Sequence, residues 1–235
     1  MQHNQGPRRF LPCKEEITMQ NIIISAIAIF TAIIAHEIGH GWVAWKLGDD
    51  TAQKAGRLSV NPIKHIDVIG TLLVPFFLII SKIGIVFGWA KPVPVDYTKL
   101  KHEKRDIVLV AAAGIITNVF LALFSALLLK LSLWLPFQTI SGLLSMFWLN
   151  MIIFNVILAL FNLIPIPPLD GSKIILGWSK NPYVIRFLNA ERTGLIFIIL
   201  FAFILPVILQ KFDIYFNPLA SYLRNATLWI ASWLI

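Results

Sequence analysis

The chain of 235 residues holds a single cysteine, Cys13, which rules out an intramolecular disulfide and a cysteine-based zinc site. Charge is nearly as scarce. Asp, Glu, Lys and Arg make up 14% of the chain, and residues 22–35 carry none. There is no internal repeat, and no polar stretch is long enough for a folded extramembrane domain of ordinary size. Apolar residues fill the space instead. They reach 57%, and the mean hydropathy is +0.77, the composition of an integral membrane protein rather than of a soluble core. The net charge of +8 does not imply nucleic acid as a partner. Its Lys and Arg lie in short loops between apolar segments, where cations orient a membrane protein and meet anionic lipid.

Residues 1–20 are polar, with Gly, Pro and mixed charge, and read as a disordered N-terminal tail; Met19 is an alternative start. Arg8, Arg9 and Lys14 ahead of an apolar run could serve a signal peptide, but the run continues into a charged motif with no cleavage site. Spanning helices are expected over 22–47, 107–135, 143–164 and the shorter 194–209, with 219–235 either a span or a Trp-rich interfacial helix. Gly48 is placed to cap the first of them. Segment 68–86 is apolar but interrupted by Pro75 and Ser81-Lys82. After it come Gly88, Trp89, Ala90, Lys91, Pro92, Val93, Pro94 and Val95, whose alternating prolines read as extended chain. The expected fold is an all-α polytopic membrane protein. Its residues 21–175 form a three-helix catalytic core with a re-entrant or extended segment, and 176–235 add C-terminal membrane helices.

The first span carries His36-Glu37-Ile38-Gly39-His40. Helical residues four apart share a face, so His36 and His40 can offer two imidazoles to one metal ion. Glu37 stands beside them, placed to take a proton from an attacking water. This is the H-E-x-x-H pattern of zinc peptidases, in a stretch that reads as membrane-embedded, where ionisable groups are costly and usually functional. The bland alternative is a pair of polar residues snorkelling from a helix end. Two histidines do not complete a catalytic zinc site, which takes three protein ligands. Asp170 is the strongest candidate for the third. It follows a span broken by Pro165, Pro167 and Pro168, a disruption tolerated at membrane depth where the backbone is buried or lines a polar cavity. Asp170-Gly171 also reads as a helix-ending turn at the interface. In the 51–67 connector, His65 reads as a ligand or as a locally bonded loop residue, and Asp67 as a cap or turn residue.

The pairing of HEIGH on one apolar helix with NLIPIPPLDG on a later one resembles the site-2 protease family of intramembrane zinc metalloproteases, in its minimal prokaryotic form without an appended soluble domain. The resemblance runs from about Ile22 to Gly171. It implies one Zn2+ per chain held by His36, His40 and Asp170, Glu37 as catalytic base, and Asn162 as a residue that holds substrate or the oxyanion. It also implies cleavage within or near the transmembrane segments of single-span membrane proteins. Gly114-x-x-x-Asn118 resembles the family's middle-helix Gly-Pro-x-x-Asn, but Ile115 replaces the proline, which leaves close helix packing as its expected role.

A shared site also constrains topology. The two histidines lie toward the C-terminal half of their helix and Asp170 at the C-terminal end of its own, so both helices must run in the same direction. With 107–135 crossing once between them, segment 68–86 cannot also cross and is expected to re-enter. Connectors 46–67, 82–106 and 168–193 hold most of the Lys and Arg, which puts the site toward the cytoplasm, while the resemblance implies that the membrane is a prokaryotic inner membrane. Residues 88–95 have two readings: an edge strand donating main-chain hydrogen bonds to an extended substrate, or a Pro-rich connector. Two rival functions stand beside proteolysis. One is a non-proteolytic zinc protein that binds a membrane partner. The other is a metal transporter whose buried His and Asp line an ion path, although paired repeats are wanting.

Overall fold

The computed structural model describes residues 18–80 and 88–235. Most of the tail expected to be disordered falls outside them. Thr18 is described as the N-cap of the first helix, its side chain accepting from the Asn21 N–H at 3.3 Å, so Met19 and Gln20 are helical rather than tail. That helix, α1 (Met19–Leu47), closes on Gly48 in the left-handed region, φ 114°, as the sequence implies. There follow α2 (Thr51–Lys54), a 3-10 turn (Pro62–His65), a π-helical turn (Val68–Leu73) running into α3 (Val74–Ile80), and a second 3-10 turn (Tyr97–Lys99). The rest is α4 (Glu103–Ser132), α5 (Gln138–Asn162), α6 (Asp170–Trp178), α7 (Pro182–Leu188), α8 (Glu191–Gln210, π-helical over Leu200–Ile204) and α9 (Pro218–Leu234). No strand occurs among the described residues. Among them, four helices are long and apolar enough to cross a membrane: Met19–Leu47, Lys104–Ser132, Thr139–Asn162 and Glu191–Gln210. The protein is an all-α polytopic integral membrane protein.

The centre is a three-helix unit of α1, α4 and α5. Between α4 and α5, Ala122, Ala126 and Leu129 meet Ile152 and Val156, and Ala231 of α9 joins the cluster. Small side chains suit a lipid solvent, where helices associate by close packing rather than by escape from water. Phe120, Leu123, Phe124, Leu127 and Leu131 lie exposed at helical spacing along one face of α4, the side turned to lipid. On the outside, α1 and α4 leave an apolar groove of about 750 Å³, lined by Ile27, Phe30, Ile38, Trp42 and Phe120, that reaches Gly39 in the motif.

The described residues on the two sides of 81–87 are joined by hydrogen bonds. The Trp89 N–H donates to the Gly70 carbonyl at 3.0 Å, and Thr71 Oγ1 donates to the Trp89 carbonyl at 2.8 Å. Two residues on, the Lys91 N–H donates to the His65 carbonyl at 2.9 Å. A single crossing would part these ends by about 30 Å, so the expected re-entry is met at both described ends, while residues 81–87 lie outside the described residues.

Candidate metal centre

His36 and His40 stand one turn apart on α1 with their ring centroids 4.5 Å apart. Gly114 of α4 lies against both rings, and a Cβ there would collide with each of them. Each imidazole has its Nδ1 committed. His36 Nδ1–H donates to Asn118 Oδ1 at 2.5 Å, and His40 Nδ1–H donates to the Val110 carbonyl at 2.7 Å. In a neutral imidazole this leaves Nε2 as the free lone pair, the usual way an outer partner sets a metal-binding histidine. Asn118 is fully buried. It donates in turn to Asn155 Oδ1 at 2.8 Å, and the Asn155 amide donates to the Met151 carbonyl at 2.8 Å. A polar chain therefore crosses α1, α4 and α5. Gly114 and Asn118 do more than pack helices, which corrects the expectation drawn from Ile115.

Asp170 reaches the pair from a loop, residues 163–169, whose three prolines end α5 and whose Pro167–Pro168 peptide bond is cis. Leu169 packs against Ile198 and Ala202 of α8, which braces the turn. Asp170 does not close its helix, as expected from the sequence, but opens α6, where the helix dipole favours a carboxylate. Its Oδ2 lies 3.2 Å from His36 Nε2 and 3.2 Å from His40 Nε2, and the two Nε2 atoms are 3.0 Å apart. The three ligand atoms fall within 4.8 Å of one another. Asp170 Oδ2 is buried without a hydrogen-bond donor. With both histidine protons spent elsewhere, these electron-rich atoms repel one another unless a cation sits among them, and two imidazoles with a carboxylate suit zinc.

Glu37, half-buried beside this cluster, accepts the Val93 N–H on Oε2 at 2.7 Å. Asn162, in the last turn of α5, donates one amide proton to the Leu158 carbonyl at 3.0 Å. His65 stands outside the cluster: its Nε2 bonds the Ser59 carbonyl at 2.8 Å, the local reading. Asp67 caps the π-helical turn, accepting from the N–H groups of Ile69 and Gly70. Residues 88–95 form neither helix nor strand. The N–H groups of Trp89, Lys91 and Val93 are spent on Gly70, His65 and Glu37, and Pro92 and Pro94 have none. Lys173 was not singled out from the sequence. Its Nζ sits 5.9 Å from the Tyr97 ring centroid. Burial works against its charge, but Tyr97, Asp170 and Glu191 outweigh it and raise it above the usual lysine range.

Comparison with known proteins agrees with this geometry. A model of peptidase family M50 matches residues 137–207. The "Putative zinc metalloprotease YwhC" of Bacillus subtilis is 38% identical over 187 residues, 78% of this chain and 80% of that protein. The chain belongs to peptidase family M50. The "Putative zinc metalloprotease Rip2" of Mycolicibacterium smegmatis is 29% identical over 86% of this chain and 80% of its own length. The "Putative zinc metalloprotease MJ0611" of Methanocaldococcus jannaschii is 30% identical over 76% of this chain and 81% of its own. No solved structure matches. As an M50 protein the chain has zinc as its expected cofactor, and His36, His40 and Asp170 form the donor set that fits it.

Proposed function

We propose that this M50 protein is an intramembrane zinc endopeptidase that cuts membrane-anchored proteins within or near their transmembrane segments. The observation that carries this reading is the convergence of His36, His40 and Asp170 beside Glu37 among membrane-spanning helices. When bound, the metal supplies a Lewis acid that acidifies water and polarises the scissile carbonyl. Glu37 takes the proton of the attacking water and delivers it to the leaving amine nitrogen. Asn162 has a second amide proton beyond the one on Leu158, available to the developing oxyanion. A helical substrate hides its carbonyls and must unwind before cleavage. Within 88–95 the fold spends the N–H groups of Trp89, Lys91 and Val93, and those of Ala90 and Val95 are the donors offered to the unwound stretch. The α1–α4 groove gives a single-span substrate an apolar approach to the motif. Loop charge supports a site on the cytoplasmic side of the inner membrane.

Zinc content and cleavage of a dye- and quencher-labelled single-span peptide, measured on detergent-purified protein, test this together. The wild type should carry about one zinc per chain and cut the peptide. Asp170→Ala should lose both, and Glu37→Gln should keep zinc and lose cleavage. Undiminished zinc in Asp170→Ala would remove the shared site. A wild type that holds zinc but cuts nothing would favour a partner-binding role.

A further inference from the structure

Pro92-Val93-Pro94 contains one main-chain N–H, because proline has none. That N–H, on Val93, is the donor to Glu37 Oε2. The carbonyl of the same peptide unit, on Pro92, accepts from Arg57 Nη2 at 3.2 Å, and Nη2 also donates to the Lys91 carbonyl at 2.6 Å. A peptide unit is planar, so a guanidinium at its oxygen and a carboxylate at its nitrogen hold it in one orientation. Both terminal bonds involve ionised groups, the stronger class. Arg57 is only 8% exposed, a costly place for a cation with no task.

Packing fixes the same unit sideways. Val93 is buried against α1, where Gly41, one turn after Glu37, leaves room for it. A Cβ at Gly41 would come within 2.7 Å of Val93 Cγ1. Beyond it the Asp96 N–H donates to Asp49 Oδ2 at 2.7 Å. The segment is thus anchored on both sides of this peptide unit, whose single N–H faces Glu37. We propose that Arg57, acting through the Pro92–Val93 peptide, is a positioning residue that holds the Glu37 carboxylate with Oε2 occupied and Oε1 left for the attacking water. This rests on the proteolytic reading above.

Four variants of the full chain, assayed with the same labelled peptide, test it. Val93→Pro deletes the N–H and keeps the backbone extended, whereas Val93→Ala keeps the N–H and trims the packing. Arg57→Gln removes the cation, and Arg57→Lys retains it. Val93→Pro and Arg57→Gln should each lower kcat about tenfold or more, with KM within about twofold and zinc content unchanged. Val93→Ala and Arg57→Lys should keep most of the rate. Wild-type kcat in Val93→Pro and Arg57→Gln, with the wild type cutting, overturns the positioning role and leaves proteolysis standing. So does a fall in Val93→Ala as deep as in Val93→Pro, or a loss of zinc that parallels the loss of rate. No cleavage by the wild type overturns the proteolytic reading, and this role with it.

Discussion

At the scale of single residues, the site depends on where its hydrogens are. Asn118 Oδ1 takes the Nδ1 proton of His36 and so turns Nε2 toward Asp170. Asn118→Ala should weaken zinc binding roughly 10–100-fold, read by competition with a chromogenic chelator, while Asn118→Asp, which still offers an acceptor, should lose less. Equal zinc affinity in Asn118→Ala would show that the bond does not set the ligand. The candidate ligands were legible in the sequence, as imidazoles four apart on an apolar helix and an Asp after a Pro-broken span, and the structure brings them together. Asn118 was legible only in part. Its signal was an amide inside an apolar run, costly there without a partner, but Ile115 in place of proline obscured it. Arg57 gave no signal at all. A cation in a connector reads as a solvated loop charge until burial and its two carbonyl partners are seen.

At the scale of elements, hydropathy located the spans but not their ends. α4 begins at Glu103, ahead of its apolar run, because Asp106 accepts the His102 N–H at 2.8 Å and satisfies a donor that a charged first turn would otherwise expose. α7 lies among the expected C-terminal membrane helices yet is too short to span. The re-entrant segment was deduced from the need to bring two motifs to one depth, and its ends meet at Gly70 and Trp89. A re-entrant course predicts that residues before and after the segment lie on one face of the membrane. In a Cys13→Ser background, Asn61→Cys and Lys101→Cys should react with an impermeant maleimide from the same side, and Leu135→Cys from the other. If the charge reading of orientation holds, that shared side is the cytoplasm. Labelling of positions 61 and 101 from opposite sides would make the segment a true crossing.

At the scale of the whole molecule, the proposed metal would join helices that the chain keeps far apart, since α1 carries two of the candidate ligands and the start of α6 the third. A ligand that binds only the folded state adds about 2.7 kcal/mol at one hundred times its Kd. Chelation should therefore lower the unfolding temperature of the wild type by roughly 5–10 °C, and Asp170→Ala should show no such shift. An identical shift in both would place the stabilising metal elsewhere. The bracing of the Asp170 loop by α8 was not legible, because uniformly apolar helices in lipid carry no polar stripe to tell which neighbour they meet. The wide separation of the ligands in the chain has a consequence in time. Synthesis proceeds at about 5–20 residues per second, so α1 enters the membrane on the order of ten seconds before Asp170 leaves the ribosome. On the proteolytic reading proposed above, the nascent protein then carries Glu37 without a complete metal cradle, and it would be unarmed while its own helices are being inserted.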